Sequence, residues 1–237
     1  MFYYGYFDVY YLILVLPCVI LAGIASLAVN GTFKKYSKQI SRRKITGADA
    51  AARVLATNGV AGVKIERVSG NLTDHYDPKA NVIRLSQNVY DSASTAAIGV
   101  AAHEAGHAVQ YAQNYVPIKA RAAIIPITNI GSNLAFPLML IGILLSAFST
   151  MSTVFIYLGL ACFSLSLILQ LITLPVEFNA SRRALKTIRD TELLTQDEQL
   201  GARRTLTAAA MTYVAAMAVS LAQLLRLFLL FGRRRDD

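Results

Sequence analysis

Cysteine and histidine are scarce in this chain of 237 residues, which holds two of the first and three of the second. Cys18 and Cys162 each sit inside a long apolar run, so the sequence offers neither a disulfide framework nor a thiolate metal cluster. Charge is thin as well, at 16% of residues. It is all but absent from 130–174, which argues against a transport path lined by polar groups. No internal repeat, glycine-rich nucleotide loop or low-complexity tract is present.

What is plentiful is apolar surface. Hydrophobic residues make up 55% of the chain and the mean hydropathy is +0.46, too apolar for an ordinary soluble domain. The formal net charge of +9 flanks the apolar runs rather than an aromatic-studded surface. That pattern fits lipid headgroups and topology control, and nucleic acid is not an expected partner.

Residues 9–29 carry no charge and match the ~20 residues that cross a bilayer. Before them stands Asp8; after them come Lys34, Lys35, Lys38, Arg42, Arg43 and Lys44. The positive-inside rule puts the N-terminus outside and residues 31 onward in the cytoplasm. A cleaved signal peptide lacks its basic leader here, although Ser26-Leu27-Ala28 resembles a cleavage site. Residues 130–148 and 152–174 read as a transmembrane hairpin with a short connection at Ser149-Thr150-Met151. Arg182, Arg183, Lys186 and Arg189 then return the chain to the cytoplasmic side. The run 208–231 has two readings. It lies on or re-enters the cytoplasmic face, or it crosses with Arg226 packed inside the bundle and Arg233-Arg234-Arg235 beyond. The count is thus three to four membrane helices.

Against this background stands His103-Glu104-Ala105-Gly106-His107. On a helix, histidines four apart project from one face and can share a zinc ion. Glu104 stands where a carboxylate takes a proton from an attacking water. The flanking residues are small or apolar, so the helix is expected to be buried, and a buried cluster of this kind needs a partner. Gly106 costs ~1 kcal/mol relative to alanine in mid-helix, which implies a second backbone packed close by.

The rest of 31–123 predicts a small α+β unit. Thr46-x-x-Asp49 opens a helix that Gly59 closes. Residues 63–68 and 81–85 alternate as strands around a turn at Asp77-Pro78-Lys79-Ala80. Asp91-Ser92 is the expected cap of the histidine helix. Residues 115–128 read either as a helix along the headgroups or as ordinary domain packing. The expected division is an anchor at 1–30, a catalytic unit at 31–128, the hairpin at 129–174, a cytoplasmic helix at 175–207 and the last apolar helix with its basic tail at 208–237. The fold class is therefore an α-helical membrane protein with a small α+β, zincin-like cytoplasmic unit.

Two imidazoles leave a catalytic zinc short of its usual three protein ligands. Glu177 follows directly on an apolar span and has apolar neighbours, and Ala180 and Ala184 share its side of a helix. Those small residues match Ala105 and Gly106, so Glu177 is the expected third ligand.

Three segments together carry a family likeness: His103 to Gln110, Leu72 to Pro78, and Pro175 to Ala184. They resemble the YugP-like family of bacterial membrane zinc metallopeptidases across nearly the whole chain, and more distantly the HtpX-type membrane proteases. The resemblance implies a bacterial plasma-membrane enzyme with Zn2+ as its metal. HtpX-type proteins carry an aspartate four residues after the ligand glutamate, where this chain has Ser181. Ser181 or Asn179 is left to orient a ligand.

The mechanism expected is peptide-bond hydrolysis with Glu104 as general base and then proton donor to the leaving amine. His75, Arg183 and Tyr213 are the candidates for steadying the oxyanion. The strand at 81–85, if at a sheet edge, would pair with an extended peptide substrate. Membrane proteins with exposed cytoplasmic segments are one natural substrate class, and soluble peptides are another. The alternative is a non-catalytic membrane adaptor or assembly factor stapled by a structural metal.

Overall fold

A computed structural model describes residues 8–71, 73–146 and 151–232. Two compact units emerge. The described parts of 25–119 and 174–211 form one; those of 1–24, 120–173 and 212–237 form the other. The chain is threaded by α1 (Leu16–Tyr36), which follows a π-helical stretch at Tyr11–Val15, and by α5 (Val116–Leu145), α6 (Ser152–Asp190) and α7 (Gln196–Gly232).

The first unit is built around α4 (Thr95–Ala112). Its alanines at 96, 97, 101, 102, 105 and 108 are buried, and short side chains let neighbours come close. α2 (Gly47–Thr57) packs on it through Ala50, Ala51 and Val54. The start of α2 follows from its sequence: Thr46 and Asp49 form a reciprocal capping box, worth about 1 kcal/mol. Gly59 follows the C-cap Asn58 in the left-handed region, at φ +68°. Ile83, Leu85, Ile98 and Ile188 complete the core, each contributing about 1.5–3 kcal/mol by burial.

The sheet departs from expectation. Strands β1 (Lys64–Val68) and β3 (Val82–Ser86) lie near the expected positions, but β2 (His75–Asp77) sits where the sequence reads as loop. The order is β1-β3-β2, with β3 parallel to β1 and antiparallel to β2. The strand at 81–85 is therefore central and has no free edge for a substrate. Asp77 Oδ1 accepts from the amides of Lys79 (2.9 Å) and Ala80 (3.2 Å), which makes the tight turn back into β3. A short helix, α3 (Gln87–Tyr90), leads to α4, whose N-cap is Ser94 and not Asp91-Ser92. Ser94 Oγ accepts from the Ala97 amide at 3.2 Å, while Ser92 is engaged in supporting Ser94.

The second unit is helical, and glycine sets its packing. A Cβ on Gly131 would lie 3.2 Å from the Cys162 carbonyl oxygen, on Gly142 2.8 Å from that of Ser152, and on Gly159 2.8 Å from that of Ala135. These three pairings fix α5 and α6 antiparallel and in close contact, as small residues do between apolar helices. Ser132 and Ser166 add a hydrogen bond of 3.0 Å. Ile13, Phe136 and Leu144 are each at least 65% exposed, a surface suited to hydrocarbon rather than water. Among the described residues, four helices are long and apolar enough to cross a membrane. The expected connection at 149–150 and the arginines at 233–235 lie outside the described residues.

One sequence expectation changes here. Residues 116–128 and the first arm of the hairpin are one helix, α5, despite Pro126 and Pro137. Proline in a helix removes a single donor, and neighbouring helices tolerate that in apolar surroundings. Residues 208–231 continue α7, and Arg226 Nε donates to Asp8 Oδ2 at 2.6 Å with its guanidinium over the Tyr11 ring.

Candidate metal centre

α4 presents His103 and His107 one turn apart, their ring centroids separated by 4.7 Å and nearly perpendicular. Glu177 of α6 comes between them. Its Oε2 lies 3.2 Å from His103 Nε2 and 3.5 Å from His107 Nε2. One donor atom from each of the three residues falls within 4.8 Å of the others, a spacing at which a single ion is reached by all three. The close approach of α4 and α6 depends on Gly106: a Cβ there would stand 2.7 Å from the Ala180 carbonyl oxygen. Ala180 and Ala184 are fully buried on the same side of α6 as Glu177.

The far nitrogens of both rings are held. His103 Nδ1 is 3.0 Å from Ser181 Oγ, and His107 Nδ1 is 3.0 Å from Gln110 Oε1. Gln110 cannot be turned about, because its amide nitrogen already donates to the Val176 carbonyl (2.8 Å) and to Asn179 Oδ1 (2.9 Å). Its oxygen therefore accepts from His107 Nδ1–H, an assignment made from the partners. Neutral His107 then aims the lone pair of Nε2 at a carboxylate oxygen. Two acceptors facing each other across a buried gap require a cation between them, either a proton or a metal. The same conflict governs the free imidazole: burial pulls the pKa of His107 down, but the Glu177 and Glu104 carboxylates outweigh it and hold the pKa above the ordinary value.

Glu104 is buried on α4 beside this cluster. A second carboxylate acts on the same region. Asp74 is pushed upward in pKa first by burial, opposed by hydrogen bonds from Ser86, and raised further by the charge of Glu104. Ser86 binds it through its amide at 2.7 Å and its hydroxyl at 3.0 Å.

The family model described as "Putative neutral zinc metallopeptidase" matches residues 11–232. The chain belongs to this family. It is also 44% identical over 213 residues to "Putative membrane protease YugP" of Bacillus subtilis (strain 168), covering 90% of this chain and 92% of that protein. No solved structure matches the chain.

Within this metallopeptidase framework the structure brings His103, His107 and Glu177 together, with Glu104 adjacent on α4. The three oxyanion candidates fare differently. His75 is exposed on β2, with Nδ1 2.8 Å from the Thr73 carbonyl oxygen and Nε2 3.5 Å from Arg84. Arg183 is engaged elsewhere: its Nε donates to Asn179 Oδ1 at 2.7 Å, it reaches Gln113, and it lies over the Tyr115 ring. It braces the same Asn179 that holds Gln110. Tyr213 belongs to the helical unit, where α7 carries it. Of the two residues expected to orient a ligand, Ser181 touches His103 directly and Asn179 reaches His107 only through Gln110. Gln110 and Asp74 were missed. The signal for Gln110 was a lone polar side chain one turn past His107 in a buried segment.

Proposed function

We propose that the chain is a membrane-anchored zinc endopeptidase, with His103, His107 and Glu177 holding the metal and Glu104 as general base. The observation that carries this reading is the geometry at Glu177: two imidazole Nε2 atoms and one carboxylate oxygen converge, with Nδ1 of His107 committed to Gln110. That donor set suits zinc in a catalytic site, with three protein ligands and one position left over. Neither cysteine is among the donors. Bound zinc would supply Lewis acidity, lowering the pKa of water and polarising a carbonyl.

The protein's own residues do the rest. Glu104 takes the proton of the attacking water and hands it to the leaving amine. Gln110 and Ser181 fix the ring orientations, and Asn179 and Arg183 fix Gln110. An extended peptide would add to the sheet at β2, which is an edge strand and packs beside α4 through Tyr76 and Tyr111. Pairing through the backbone favours unfolded segments, and membrane proteins with loose cytoplasmic stretches fit that description. The lysines and arginines that follow α1's apolar core support a site at the cytoplasmic face of a plasma membrane.

The test uses full-length protein in detergent. Wild type is expected to hold about one zinc and to cleave an unfolded membrane substrate. Glu104→Gln should retain the metal and lose roughly 10²–10⁴-fold in rate. Equal cleavage by the variant rules out the base. A metal-loaded wild type that cleaves nothing favours the adaptor with a structural metal instead.

A further inference from the structure

The last turns of α6 and the first turns of α7 face each other across a groove of about 720 Å³. From α6 come Phe178, Arg182, Lys186 and Arg189, spaced at three and four so that they share one helix face. From α7 come Leu200, Arg203 and Met211. Two chemistries therefore meet in one place. Phe178, Leu200 and Met211 are between 44% and 50% exposed, a sizeable apolar surface left bare. Four cations line the same groove, with no carboxylate among the described lining residues. Lys186 and Arg189 are partly answered by Asp190. Arg182 and Arg203 have no ion pair among the described residues.

We propose that this groove binds one anionic phospholipid, its phosphate at Arg182 and Arg203 and its acyl chain along Phe178, Leu200 and Met211. Charge complementarity favours an anionic lipid over a zwitterionic one, whose own ammonium would add a further cation to a groove already lined by four. An acidic peptide or a free phosphate has no use for the apolar side. An amphiphile with one negative charge satisfies both. The walls are also suited to the source: α6 and α7 are continuous with runs apolar enough to cross a bilayer. Phe178 lies four residues past Leu174, about 6 Å along the helix at 1.5 Å per residue. An acyl chain rooted in the membrane need bend only that far to reach the groove.

The chain contains no tryptophan, so Leu200→Trp introduces a single tryptophan into the groove, excited selectively over the tyrosines. The full-length protein is reconstituted into phosphatidylcholine nanodiscs with a minor share of phosphatidylglycerol, and bromine is placed on the acyl chains of one lipid or the other. Brominated phosphatidylglycerol is expected to quench at least about fivefold beyond its share of the bilayer, the preference one surface cation confers. Arg182→Gln with Arg203→Gln should bring that preference to unity. Met211→Trp serves as a second reporter should Leu200→Trp disturb folding. Equal quenching by both lipids overturns the proposal, as does a preference that survives loss of both arginines. Relief of quenching by soluble glycerol phosphate or by polyglutamate would assign the cations to a free anion or an acidic peptide, and would also overturn it.

Discussion

His107 and Gln110, three residues apart on α4, are joined by a contact of 3.0 Å that fixes which nitrogen of the imidazole faces Glu177. The pair works because Gln110 is anchored at its other end to the backbone of α6. One side chain thus sets a tautomer and ties together the two helices that supply the donors.

Gln110→Ala is accordingly expected to weaken zinc binding about 10–100-fold while leaving the three donors in place. Gln110→Glu keeps an acceptor for His107 Nδ1 but loses both donations to α6, so its loss should be smaller. Metal titration against a competing chelator measures both. Unchanged affinity in the alanine variant would show that the ring is held by other means.

Gly106→Ala is expected to cost about 1–3 kcal/mol of stability, because the added methyl meets a backbone oxygen that no rotamer change can move aside. Since α6 carries both that oxygen and Glu177, zinc affinity should fall with it. Thermal unfolding with and without metal tests this. A variant with wild-type melting and wild-type affinity would mean the helices have slack at that point.

Asp74→Asn tests the buried carboxylate through pH. The folded state raises the proton affinity of Asp74, so this group favours folding fully below the ordinary value of 3.8 and less as pH climbs through the raised one. The asparagine carbonyl still accepts from Ser86 without that penalty. The stability of Asp74→Asn relative to wild type should therefore increase from pH ~4 towards neutrality. A difference that stays flat with pH would show that the charge is relieved by something else.

The Asp8–Arg226 pair is suited to a double-mutant cycle in detergent or bicelles. Arg226→Leu alone should cost roughly 1–3 kcal/mol, less than a fully buried pair because the side chains remain 20% and 25% exposed. Adding Asp8→Asn should restore part of that loss, giving a coupling of about 0.5–3 kcal/mol. Strict additivity would show that the two groups act independently.

Much of this was legible from sequence because its signals are local. The capping box at Thr46 and Asp49 was read directly from their spacing. The histidines four apart, the cost of Gly106 and the small residues at 180 and 184 together pointed to a helix pair that the structure forms. What escaped depends on non-local pairing. β2 spans only three residues, His75–Asp77, too short for alternation to show, and it exists because β3 offers it an edge. The condition that 81–85 lie at an edge is unmet for the same reason. The continuity of α5 was hidden by Pro126 and Pro137, which read as punctuation in a soluble chain but not among apolar helices. Asp74 lies in the Leu72 to Pro78 segment that carries the family likeness, but nothing local assigns it a role; its position becomes meaningful only once Ser86 is found beside it.

The order of the donors along the chain has a temporal consequence. Ribosomes deliver residues in sequence, so both imidazoles of α4 emerge while Glu177 still waits behind the whole of α5 and the greater part of α6. A nascent chain therefore presents the two imidazoles without their carboxylate partner until its hairpin has been synthesised. The three side chains can meet only after that point, while α7 is still to come.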